Sequence, residues 1–77
     1  MYTVEFERDA SIITSIDDDG KYNDVEVIVG DTGGVYIRQY EDLLEEYSVV
    51  YINYKQLIEI YTALHSTEGA YRLEVQQ

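Results

Sequence analysis

Apolar side chains recur at every second position in one short segment after another, and the segments are separated by glycines and carboxylates. Tyr2, Val4 and Phe6 alternate with Thr3, Glu5 and Glu7. A period of two sends successive side chains to opposite faces of an extended backbone, so residues 2–8 read as a strand with one face buried and one wet. Ile12, Ile13, Thr14 and Ile16 are mostly β-branched and lead into Asp17-Asp18-Asp19-Gly20. That is a second strand closed by a turn, since Asp and Gly both tolerate positive φ. Val25, Val27 and Val29 alternate with Glu26 and Ile28 in a third strand over 24–29, which ends at Gly30-Asp31-Thr32-Gly33-Gly34. A fourth, over 35–40, sets Val35 and Ile37 against Tyr36, Arg38 and Tyr40.

The period then changes. Glu41 to Tyr47 places four carboxylates around Leu43 and Leu44, which fits either a short helical turn or a loop tacked onto the core by its leucines. Residues 48–52 have the Val, Tyr and Ile content of a covered strand. Asn53 is a helix N-cap candidate, and Gln56 stands three residues on to complete a capping box. Leu57, Ile60, Tyr61 and Leu64 follow at helical spacing with Ile58 beside them, predicting a helix over 54–66. After Gly69, Tyr71, Leu73 and Val75 alternate with Arg72 and Glu74, predicting a last strand over 70–75. The expected fold is α+β, an antiparallel sheet of five or six strands with one helix packed on one face, in a single domain over 1–77. A helix of about 13 residues is roughly 20 Å long, so it leaves one sheet face to water or to a partner.

A chain of 77 residues hides only about 60% of the surface its unfolded form exposes, which makes a large enclosed active site improbable. With no cysteine it can form neither disulfides nor cysteine-based metal sites. Its apolar runs are far shorter than the ~20 residues that span a bilayer, and no basic, apolar leader opens it, so a cytoplasmic setting without membrane attachment is expected. An apolar fraction of 45% with nine tyrosines separates it from disordered acidic tails.

Little in the sequence carries catalytic chemistry. Asp17, Asp19, Gly20 and Glu26 partly match the spacing of a calcium loop, but Ser15 stands where the first acidic ligand belongs and strands flank it where that motif needs helices. A solvated hairpin turn is the simpler reading. Gly30-x-x-Gly33-Gly34 lacks the Lys-Ser/Thr of a phosphate-binding loop and precedes a strand. His65 is the only histidine and lies at the helix end, where its cation would favour the dipole. No nucleophile and base are set together. The expectation is a non-enzyme with no metal and no cofactor. Arg8, Lys21, Arg38, Lys55 and Arg72 are spread singly among acids, which disfavours direct nucleic-acid binding.

The charge itself points to a partner. Sixteen carboxylates against five Lys and Arg give a net charge of −11. A domain of this length is about 30 Å across, and duplex DNA of that length carries about 18 phosphates. A folded body of similar charge density can occupy the basic groove that a nucleic-acid enzyme keeps for its substrate. One candidate cluster is Asp17, Asp18, Asp19, Asp24 and Glu26, and another is Glu41, Asp42, Glu45 and Glu46; Asp31 is a further candidate. Tyr36, Tyr40, Tyr47, Tyr51 and Tyr54 would add rigid, half-polar contact area, with Tyr36 and Tyr40 placed among the contact residues.

A small, cysteine-free acidic chain with Tyr-rich strands, carboxylates in nearly every turn and the strand-cap-helix stretch Val49-Val50-Tyr51-Ile52-Asn53-Tyr54-Lys55-Gln56-Leu57 resembles the small bacteriophage proteins that block host defence nucleases, the anti-CRISPR proteins. The resemblance lies in composition and size, and no binding signature is carried over with it. It implies a phage-encoded inhibitor acting in the host cytoplasm, whose partner is a host nucleic-acid-binding protein or nuclease complex with a channel lined by Lys and Arg. The rival expectation is a homo-oligomeric structural or accessory module, possible as a homodimer through an uncovered sheet face bearing Tyr36 and Tyr40.

Overall fold

Each stretch of alternation becomes a strand, and each short turn between them reverses the chain onto its neighbour. The computed structural model describes residues 1–66. Its elements are β1 (Tyr2–Phe6), β2 (Ala10–Ser15), β3 (Val25–Gly30), β4 (Gly34–Glu41), β5 (Glu46–Asn53) and α1 (Tyr54–His65). The strands pair in chain order, every pair antiparallel, as a five-stranded meander. The fold is α+β, with one antiparallel sheet and one helix among the described residues. The strand expected over 70–75 lies outside the described residues.

Register decides what the two faces are. Val4 pairs with Ile13, Ile13 with Val27, Val27 with Ile37, and Ile37 with Val50. Directly paired residues share a face, so five β-branched residues form one unbroken row across all five strands. Tyr2, Phe6, Val25, Val29, Val35 and Ile52 flank this row on the same face. The opposite face carries Tyr36, Arg38 and Tyr40 from β4, Tyr47, Val49 and Tyr51 from β5, and Glu26 and Ile28 from β3. We refer to these as the aliphatic face and the tyrosine face.

One turn differs from expectation and another matches it. The stretch from Glu41 to Tyr47 is neither a helical turn nor a loop held down by its leucines. Strands β4 and β5 stay paired out to Glu41 and Glu46, so the intervening residues 42–45 project past the end of the sheet. Leu43 is consequently 98% exposed. Glu45 closes this turn with φ 54°, in the left-handed region that disfavours a side chain. The Gly30–Gly34 segment is the β3–β4 hairpin turn, in which the Gly33 amide donates to the Gly30 carbonyl.

The helix starts where the capping residues put it. Asn53 Oδ1 accepts from the Gln56 amide at 2.8 Å, and Gln56 Oε1 accepts from the Asn53 amide at 3.0 Å, completing a capping box. The helix expected over 54–66 is observed as Tyr54–His65. Asn53 is both the last residue of β5 and the cap of α1, and the Tyr54 amide is held by the Gly33 carbonyl. The helix contacts β4 and β5, Leu57 is its most shielded residue, and Ile58, Ile60, Tyr61 and Leu64 stay exposed. Among the described residues only Val35 is fully buried.

Candidate functional site

In an antiparallel meander the second and fourth connections lie at the same end of the sheet. The β2–β3 connection carries Asp17, Asp18, Asp19 and Asp24, and the β4–β5 turn carries Asp42 and Glu45 between Glu41 and Glu46. Two clusters far apart in sequence therefore form one acidic end. It gathers eight of the sixteen carboxylates. Among the described residues its cations are Lys21 and the N-terminus, the latter 3.3 Å from the Asp18 carboxylate.

Hydrogen bonds join the two connections. The Asn23 side-chain amide donates to the Tyr40 carbonyl at 2.8 Å and to the Asp42 carboxylate at 3.1 Å. Gln39 Nε2 donates back to the Asn23 carbonyl at 2.9 Å. Asp17 organises its own loop: its carboxylate accepts from the backbone amides of Asp19, Lys21 and Tyr22 at 3.2, 2.9 and 3.0 Å. The amide of Tyr22, then that of Asp19, holds the Asp17 carboxyl below the usual range, with smaller help from Lys21 and the N-terminal charge. Asp17 thus shapes the loop, while Asp18, Asp19 and Asp24 stand exposed on it. Its oxygens are turned to those amides, in place of the outward ligand geometry of a calcium loop, and no grouping of three or more potential metal ligands occurs among the described residues.

The tyrosine face adjoins the acidic end. Tyr36 and Tyr51 lie ring to ring with centroids 4.7 Å apart, and Tyr40 meets Tyr47 edge-on at 5.3 Å. Both contacts follow from the register, which pairs Tyr36 with Tyr51 and Tyr40 with Tyr47. Arg38 sits between them. Its Nε donates to Glu26 Oε1 at 2.8 Å, a second donor reaches Oε2 at 3.3 Å, and its guanidinium lies 4.8 Å from the Tyr47 ring centre. The hydrogen bond and charge of Glu26 raise the Arg38 pKa further. An open concavity of about 480 Å³ lies where this face meets the acidic end, lined by Tyr22, Asn23, Asp24, Glu26, Tyr40 and Tyr47 among others. Carboxylates beside aromatic walls suit an ammonium or guanidinium group.

Of the expected contact residues, Asp17, Asp18, Asp19, Asp24, Glu41, Asp42, Glu45 and Glu46 come together at one end. Glu26, Tyr36 and Tyr40 lie on the tyrosine face. Asp31 stands apart, in the turn at the opposite end beside the β1–β2 connection, where its amide donates to the Asp9 carbonyl. Sequence reasoning missed Asn23, which joins the clusters, and the role of Arg38 in neutralising Glu26. Arg38 and Glu26 fall on opposite sides of a hairpin, and a symmetric count of residues outward from Gly30 and Gly34 would have found the pair.

A family model described as a domain of unknown function, DUF8831, matches residues 3–63. The chain belongs to the DUF8831 family. No curated protein and no solved structure matches it. The DUF8831 match runs from β1 into the last turn of α1, so the acidic end, the tyrosine face and the aliphatic row all lie within the family's domain. Among the described residues no helix is long and apolar enough to cross a membrane.

Proposed function

We propose that this protein is a small protein-binding inhibitor that presents its acidic end to the cationic groove of a nucleic-acid-handling protein. The observation that carries the reading is the convergence of two separate carboxylate clusters on one end of the sheet, joined through Asn23. Such an end offers negative charge at a density a basic groove is built to receive, and it steers association over the ~8–10 Å reach of electrostatics at physiological salt. The adjoining concavity accepts an Arg or Lys side chain of the partner between Tyr22, Tyr40 and the carboxylate of Asp24. Inhibition is competition for the groove. With the resemblance to anti-CRISPR proteins, the partner proposed is a nuclease or nucleic-acid-binding protein of a host cell, met in its cytoplasm, and the protein itself is not an enzyme.

The test uses carboxylates that hold nothing in place. Asp19→Asn, Asp24→Asn, Glu45→Gln and Glu46→Gln together remove four charges and leave the bonds of Asp17 and Asp42 intact. Capture of a protein from host lysate should fall at least tenfold with this variant and should weaken steeply as salt rises. The captured protein's nucleic acid should be displaced by the natural chain and not by the variant. Capture that ignores all four substitutions, or a captured protein without a basic groove, would remove the proposal.

A further inference from the structure

Among the described residues, Val35 is the one member of the aliphatic face that is fully buried, and the rest of that face is partly or fully open. None of the five residues in the row Val4–Ile13–Val27–Ile37–Val50 is buried, and the two at its ends are 42% and 56% exposed. Tyr2 and Phe6, on the same face, are 71% and 83% exposed. We infer that this face is a self-association surface, and that two copies pack aliphatic face to aliphatic face as a two-fold sandwich.

Three observations select a second copy as the occupant. The first is area. At ~200 Å² for each aromatic side chain, Tyr2 and Phe6 alone leave roughly 300 Å² to cover. With Val4, Val50 and the partly shielded residues between them, the face offers on the order of 600 Å² per copy, which is the lower bound of a specific dimer interface. The second is charge. The row and the residues flanking it carry no ionised side chain, and the face's only carboxylates in β2 to β5 are Glu41 and Glu46, at the acidic end. A partner bound by electrostatics has nothing to grip there, whereas an identical neutral face is complementary.

The third is symmetry. A two-fold axis along the row makes the strands of the two sheets run in opposite senses, so each row residue faces its own copy. The Phe6 end of one sheet then lies over the Tyr2 end of the other, and the two acidic ends sit at opposite extremes of the dimer. The other two-fold, along the strands, would bring both acidic ends together and be opposed by their charge. Sheets packed this way stand about 10 Å apart. Both tyrosine faces and both acidic ends stay outside, so the association neither needs nor blocks the binding proposed above. The homodimer foreseen through Tyr36 and Tyr40 would use the other face.

Val49 and Val50 supply the test, since they are adjacent on the edge strand β5, 55% and 56% exposed, and point to opposite faces. Sedimentation equilibrium of the full chain at physiological salt should show a dimer. Val50→Lys should raise its dissociation constant by about 100-fold, and Val49→Lys should change it less than about threefold, with both variants retaining the circular dichroism spectrum of the parent. As a second measurement, Val27→Cys in this cysteine-free chain places one thiol on the axis. A short bismaleimide should then capture the dimer in high yield, and Tyr36→Cys should give none. A natural chain that stays monomeric would overturn the inference. So would equal effects of the two lysines, or no effect of either, the latter being the behaviour of strands joined edge to edge.

Discussion

The side-chain amide of Asn23 donates to the carboxylate of Asp42 at 3.1 Å across nineteen residues of sequence. The same nitrogen holds the carbonyl of Tyr40, so one amide fixes how the β2–β3 connection lies against the β4–β5 hairpin. It also offsets part of the repulsion that collecting carboxylates at one end creates. Asn23→Ala removes both bonds at an exposed site, and each is worth about 0.5–1.5 kcal/mol. A melting temperature lower by roughly 4–8 °C is expected for a loss near 1 kcal/mol. Thermal unfolding by circular dichroism checks it, and an unchanged transition would show that the two connections hold their places without Asn23.

Asp17 makes the loop sensitive to acid. Its carboxyl titrates below its ordinary value of 3.8 because the amides of Tyr22 and Asp19, and after them Lys21, bond to the ionised form. A carboxyl whose pKa is lower folded than unfolded contributes its stability in full above the unfolded value and loses it as pH falls through the folded one. The stability difference between the natural chain and Asp17→Asn should therefore be constant from neutral pH down to about 5. It should shrink once the pH drops below about 4. Melting curves of both proteins from pH 7 to 2.5 would decide it, and a difference that persisted undiminished at the acid end would mean that geometry, not ionisation, sets the contribution.

Gly34 is required by Tyr51. A Cβ at position 34 would stand 2.7 Å from the Tyr51 hydroxyl oxygen and 3.1 Å from a ring carbon. Gly34→Ala should push the ring aside and loosen its stack on Tyr36, for a loss of about 1–2 kcal/mol. Tyr51→Phe removes the nearest atom, so the double variant should recover part of that loss. Two-dimensional NMR of the Tyr36 and Tyr51 ring protons reports the displacement directly. Additive losses in the double variant would sever the link between the two residues.

Much of the fold is legible in the sequence because backbone rules act locally. The alternation through Tyr2, Val4 and Phe6, the glycines around Asp31 and the Asn53–Gln56 pair each specify their own segment by sterics or by a bond three residues long. They locate the strands and the helix start to within a few residues. The turn at 42–45 was ambiguous because Leu43 and Leu44 look like anchors, and only the pairing of Glu41 with Glu46 shows that they lie past the sheet's end. The helix stripe Leu57, Ile60, Tyr61 and Leu64 was legible as well. Which strands it meets was not, since that depends on where β5 lies in the sheet beside β4.

The sequence by itself determined the succession of strands along the chain, the capped helix and the surplus of carboxylates, since alternation, capping and charge belong to neighbouring residues. Tertiary structure alone decided that eight of those carboxylates share one end, that Asn23 joins them, and that Val4, Ile13, Val27, Ile37 and Val50 line up across five strands. The physical reason is register. A slip of one residue in any pair would turn an entire strand over and divide the row between two faces, and register is a relation between strands that no single stretch of chain contains.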